Sequence, residues 1–154
     1  MRMPFASDPA AWELKAPLPD WLREAGHEVE DLGTNGPDSV DYPDYGYALG
    51  QAIADGRATR GVALCGSGIG ISISVNRNPA CRCARVDEPL SAKLAREHND
   101  ANVIAMGARL TGIDMAKACL DAFLTTEFAG DRHARRVDKL SNPPVNLAQL
   151  ETSR

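Results

Sequence analysis

The chain has 154 residues, 44% of them apolar and 25% charged, with a formal net charge of −4. That is one globular domain's worth of sequence, long enough to bury a core without disulfides or a structural metal, and the composition excludes a disordered, collagen-like or coiled-coil chain. The acidic balance argues against a broad nucleic-acid surface, and no apolar run approaches the ~18–20 residues of a membrane span. Met1 to Asp8 lacks the apolar stretch of a secretory signal, so the cytoplasm is the expected location. The charge is uneven: residues 1–60 hold eleven acids and five Lys or Arg, whereas residues 61–154 hold ten and twelve. The densest basic cluster is Arg132, His133, Arg135, Arg136 and Lys139, which suits a small anion or else forms a solvated helix face.

Met3 to Ser7 reads as a short strand ending at Asp8, and the spacing of Trp12, Leu14, Leu18, Trp21 and Leu22 predicts a helix after it. His27 to Leu32 alternates as a strand, Gly33 to Pro43 is rich in turn residues, and Tyr45 to Ala54 reads as a second helix closed by Gly56. Gly61 to Cys65 is a short apolar run of the buried parallel type, and it leads straight into Gly66-Ser67-Gly68-Ile69-Gly70, where a helix should begin. Cys81 to Val86 is strand-like, Pro89 opens a helix through Leu90, Leu94 and Ala95, and Asn102 to Met106 is the next strand. Asp114 to Phe128 sets Met115, Cys119, Leu120, Phe123 and Leu124 along one helical face. A basic helix from Arg132 should stop at Asn142-Pro143-Pro144, giving a domain over 1–142 and a tail over 143–154. Strands alternating with helices predict a five-stranded, mainly parallel sheet covered on both faces, with the turns after each strand on one edge.

The four cysteines show no paired C-x-x-C spacing and no zinc-like histidine partners, so no metal site is expected, and Cys81, Cys83 and Cys119 read as small buried residues. Cys65 differs through the loop that follows it. The alternating glycines miss the dinucleotide fingerprint because Ile71 stands in place of its third glycine, and they lack the lysine of a phosphate-cradling loop. The G-x-S-x-G pattern fails around Ser67, and a cysteine phosphatase would need arginine where Ile71 stands. What remains is a thiol at a strand end beside backbone N–H groups at a helix start, a field that favours anions and a thiolate. Such a pair can move a proton from carbon next to a carbonyl while the amides hold the enediolate. The alternative is a tight turn with a buried cysteine. His98 and Asn99, at a predicted helix end, form a second candidate pair, the Arg132–Arg136 guanidiniums a phosphate site, and Asp8 a further polar group at a strand end.

Taken in order, Asp41-Tyr42-Pro43, the run from Cys65 to Ser72, Glu97-His98-Asn99-Asp100-Ala101-Asn102-Val103, Met106-Gly107-Ala108-Arg109 and Arg132-His133-Ala134-Arg135-Arg136 resemble the type B ribose-5-phosphate isomerase family, which includes galactose-6-phosphate isomerase subunits. The resemblance covers about Ser7 to Lys139. It implies a Rossmann-like three-layer α/β/α sandwich, a homodimer or dimer of dimers with the active site at the subunit interface, and aldose–ketose isomerisation of a phosphorylated sugar with neither metal nor cofactor. It implies Cys65 as the proton-transfer base between C1 and C2, with the amides from Gly66 through Gly68 and Ile69 to Gly70, and the Ser67 hydroxyl, holding the enediolate. It gives His98, helped by Asp8, the opening of the sugar ring, and Asn99 contact with the reacting oxygens. Arg109, Arg132, His133 and Arg136 would bind phosphate, and Tyr42 would line the sugar pocket. D-ribose 5-phosphate and D-ribulose 5-phosphate are the expected pair, with a tetrose or hexose phosphate, or a sugar-phosphate-binding module without activity, as alternatives. The chain departs from the family at Asp8-Pro9-Ala10, where the family usually carries a histidine in the middle position, and Trp12 is bulky enough to reshape that side of the pocket.

Overall fold

The computed structural model describes residues 1–34, 38 and 40–144. The tail from 145 onward and part of the expected turn over 33–43 lie outside the described residues. Five strands, β1 (Arg2–Ser7), β2 (Glu28–Asp31), β3 (Gly61–Cys65), β4 (Cys83–Arg85) and β5 (Val103–Gly107), form one sheet in the order β2-β1-β3-β5-β4, and every pairing is parallel. Between them lie α1 (Trp12–Lys15), α2 (Leu18–Glu24), α3 (Tyr42–Ala54), α4 (Ile69–Val75), α5 (Pro89–Asn99), α6 (Ile113–Thr125) and α7 (Arg132–Ser141).

Strand alternation divides the core into two layers. Phe5, Val62, Leu64, Ile104 and Met106 pack on one face with Leu14, Leu18, Leu22, Leu120 and Phe123. Ala6, Ala63, Cys65, Val103 and Ala105 pack on the other with Leu49, Ile53, Ile71 and Val75 of α3 and α4. The small residues on this second face let the α3 and α4 pair sit close to the sheet.

The single helix expected after β1 is broken into a 3-10 turn at Pro9–Ala11, then α1, then α2. Pro17 and Pro19 have no N–H to donate, so one unbroken ladder is impossible there. α3 starts at Tyr42, earlier than expected, with Pro43 in its first turn. β4 is shorter than its sequence pattern, and α6 stops before Phe128.

The connections leaving β1 and β3 run to opposite sides of the sheet, which makes the gap between their carboxyl ends the switch point where α/β sheets hold ligands. Asp8 and Cys65 stand on either side of that gap.

Candidate active site

Cys65 is the last residue of β3 and is buried. The chain leaving it must turn sharply before α4, and Gly68 does so in the left-handed region at φ 76°. A side chain there would also run into β5, since a Cβ would sit 2.7 Å from the Met106 carbonyl carbon. The turn brings the Gly68 N–H onto Cys65 Sγ at 3.1 Å. Ser67 Oγ accepts from the Ile69 N–H at 3.2 Å and keeps its own proton for a ligand. The Tyr42 ring lies over Gly70, so closely that a Cβ would be 2.5 Å from the ring carbon Cζ. Arg109, just beyond β5, donates its N–H to the Gly66 carbonyl at 3.0 Å, and its side chain runs beside Gly66.

Asp8 closes the cleft from the β1 side. Its Oδ1 is buried with no hydrogen-bond partner. Burial raises the carboxyl above its ordinary value, while the Ala10 and Ala11 amides and the Arg109 charge pull the other way. Together Asp8, Tyr42, Cys65, Gly66, Ser67, Ile69, Gly70 and Arg109 line a cleft of about 630 Å³, with the Ala10 methyl, Ile73 and Leu110 completing its wall. Trp12, expected to reshape this pocket, does not line it and is 63% exposed. Cys81 and Cys119 are buried as expected, whereas Cys83 is half-buried, and desolvation pushes the first two thiols up to about 11 and Cys83 higher still.

The remaining sequence candidates form a second group. His98 and Asn99 end α5, whose start is fixed by the Glu88 carboxylate accepting the Leu90 and Ser91 N–H groups at 2.7 and 2.6 Å. The His98 and His133 rings stack, with centroids 4.4 Å apart and an interplanar angle of 11°. His133 is held below its usual value by burial first and then by His98, Arg132 and Arg136, with Asp131 opposing. Arg132 and Arg136 are exposed on α7, a helix with no buried residue. Asn99 faces a separate cavity of about 430 Å³ beside Arg82, Cys83 and Leu140.

The two groups lie at opposite edges of the sheet. α5 ends just before β5 begins, and β5 runs parallel to β3 with Gly61 opposite Val103 and Cys65 opposite Gly107. Four residues of strand rise separate the two edges, about 13 Å before any side chain is counted. One chain thus gathers Asp8, Tyr42, Cys65 to Gly70 and Arg109, and leaves His98, Asn99, Arg132, His133 and Arg136 elsewhere.

Sequence reasoning missed Arg85, whose Nε donates to the Ser67 carbonyl at 3.1 Å and whose guanidinium also pairs with Asp87. Its place in a strand pattern carries no sign of a contact 18 residues back. Among the described residues, no cluster of three or more His, Cys, Asp or Glu side chains is arranged to hold a metal ion, and no helix is long and apolar enough to cross a membrane.

Residues 4–140 match the family described as Ribose/Galactose Isomerase. Ribose-5-phosphate isomerase B of Escherichia coli is 39% identical over 140 residues, covering 91% of this chain and 94% of that protein. D-erythrulose-4-phosphate isomerase of Pectobacterium atrosepticum is 40% identical over 138 residues, covering 88% and 90%. The solved structure of ribose-5-phosphate isomerase B from Clostridium thermocellum superposes with a TM-score of 0.90 at 40% identity, covering 99% of this chain and all of that one. On these likenesses the chain belongs to the ribose/galactose isomerase family and is a sugar-phosphate aldose–ketose isomerase.

Proposed function

We propose that the protein interconverts D-ribose 5-phosphate and D-ribulose 5-phosphate through an enediolate, as a cytoplasmic homodimer or dimer of dimers with Cys65 as the base. The observation that carries this reading is the Gly68 N–H on the sulfur of Cys65, a residue that lines the cleft. A donor aimed at sulfur favours the thiolate, which is the form able to take a proton from carbon.

In this mechanism Asp8 and His98 open the furanose ring by moving a proton from the C1 hydroxyl to the ring oxygen. The Cys65 thiolate then removes the proton from C2. Negative charge passes to the O1 oxygen, where the loop amides and the Ser67 hydroxyl receive it. The thiol returns its proton to C1, and the O2 proton moves to O1 by way of His98 and Asn99. Atoms and charge balance with no added oxidant or metal.

Phosphate needs a basic clamp. Arg109 supplies one guanidinium at the cleft, and Arg132, His133 and Arg136 supply the rest from α7 of a second copy, together with its His98 and Asn99. Two-fold pairing makes both sites whole at once.

The relative named D-erythrulose-4-phosphate isomerase, with Asp8-Pro9-Ala10 in this chain, supports a tetrose phosphate as the second reading. Where the resemblance implies an imidazole, Pro9 opens a 3-10 turn and does not line the cleft, although Asp8 and Ala10 on either side of it do.

Proton NMR in deuterium oxide tests both. Conversion of D-ribose 5-phosphate with solvent deuterium entering the transferred position is the expected result. Turnover of D-erythrulose 4-phosphate alone would select the second reading, and binding of both without exchange would leave a sugar-phosphate-binding module.

A further inference from the structure

We infer that Arg85 is a positioning residue for the isomerisation: through the peptide group that joins Ser67 to Gly68, its guanidinium holds the Gly68 N–H on the Cys65 sulfur. The inference rests on the reading of Cys65 as the base.

Both contacts belong to one peptide plane. Its carbonyl oxygen, on Ser67, accepts from Arg85 Nε at 3.1 Å. Its N–H, on Gly68, donates to Cys65 Sγ at 3.1 Å. In a trans peptide these two groups point in opposite directions, so Arg85 and the thiol sit at the two ends of a single dipole. Rotating that plane by half a turn would break both contacts and aim a carbonyl oxygen at the sulfur, which disfavours a thiolate.

The backbone at this point permits such a rotation. A peptide flanked by a glycine flips between turn types with little steric cost, because glycine accepts φ of either sign. Among the described residues no backbone N–H donates to the Ser67 oxygen, so the Arg85 contact is the hydrogen bond that orients it. Packing assists from the other side. Gly107 at the end of β5 lies against the plane so closely that a Cβ there would be 2.5 Å from the Ser67 carbonyl carbon.

The contact also adds electrostatics. A cation on the carbonyl oxygen polarises the peptide and makes its N–H a stronger donor, and the effect survives because the Arg85 side chain is only 25% exposed. Asp87 pairs with Nη1 and fixes the turn of the guanidinium, leaving Nε free to face the loop.

The test uses the full chain and reads Cys65 directly. Iodoacetamide alkylation is followed by peptide mass spectrometry, which separates Cys65 from Cys81, Cys83 and Cys119. For Arg85→Gln, alkylation of Cys65 near pH ~7 should slow about three- to ten-fold, and at pH ~10, where any accessible thiol ionises, it should match the wild type. Turnover of D-ribose 5-phosphate should lose kcat by a similar factor with KM within about two-fold, since Arg85 touches no substrate. Arg85→Lys, which keeps the charge, should recover part of both, and it carries the test alone if Arg85→Gln does not fold. Alkylation at the wild-type rate near neutral pH, or slowed equally at both pH values, overturns the inference. Near-normal turnover by Cys65→Ala would instead overturn the base assignment, and the alkylation comparison separates the two failures.

Discussion

Asp8 shows what the site costs the fold. Its carboxyl is raised by burial, and one oxygen has no partner in the free protein. The folded state therefore binds the proton more tightly than the unfolded chain does. Ionised Asp8 disfavours folding at every pH above the folded value, and the penalty vanishes below the unfolded value of about 3.9, where both states are protonated. Asp8→Asn should accordingly melt at a higher temperature than the wild type at neutral pH, with the gap closing as the pH is lowered, while isomerase activity on cyclic substrate falls by about 100-fold or more. Calorimetry across that pH range, set beside turnover, reads both parts. A variant less stable at neutral pH would mean that the orphaned oxygen is not a strained one. Much at this scale was legible beforehand. The strand end at Cys65 and the glycine turn into a helix are legible because the apolar run and the glycines mark them, while the same residues leave a tight turn with a buried cysteine open. Arg85 is not legible, since its partner is a backbone carbonyl, and carbonyls carry no sequence signature.

At the scale of elements, the loop depends on how closely α3 and α4 approach. Gly46 and Gly50 make the contact, and a Cβ on Gly46 would overlap Ser74 Oγ and lie 2.9 Å from Ser74 Cβ. Ser74 is buried and donates to the Ile71 carbonyl at 2.8 Å, so it has little room to yield. Gly46→Ala should destabilise the fold by about 1–3 kcal/mol through overpacking. That corresponds to a fall in Tm of roughly 2–4 °C per kcal/mol for a chain of this size. Adding Ser74→Gly should return part of the loss, and a double-mutant cycle on thermal melts measures the coupling. Independent, additive losses would show that the helices adjust rather than clash. Periodicity finds the packed face of α6, where Cys119, Leu120 and Phe123 are buried as expected, but in α5 only the extent of the helix agrees, since the expected Leu90 and Leu94 are exposed and the buried residues are Ala92, Ala95 and Arg96. Elements were misread where proline interrupts an apolar pattern, as between α1 and α2, because spacing records burial but not the missing N–H of Pro17 and Pro19.

At the scale of the whole molecule, the proposed mechanism asks for His98 beside Cys65, and one chain does not bring them together. Sequence order says nothing about sheet edges, and only the parallel register of β3 and β5 puts the two residues at opposite ends of the strands. The rim of the Cys65 cleft is apolar and open, with Ile69 52%, Ile73 51% and Leu110 61% exposed. Side chains of this kind beside a polar cleft suit contact with another protein surface. If a second copy brings its α5 end and α7 to that rim, each site in a two-fold dimer draws the thiol from one chain and the basic clamp from the other. Defects placed in different halves must then complement. Cys65→Ala and Arg136→Ala, each weakly active alone at low substrate concentration, should regain activity when unfolded together and refolded as a mixture. Random pairing makes half the dimers mixed, and each mixed dimer holds one site with both halves intact, so the recovered activity should approach about one quarter of the wild type. A site confined to one chain makes the opposite demand, because no mixture of the two variants could then exceed the average of its parts.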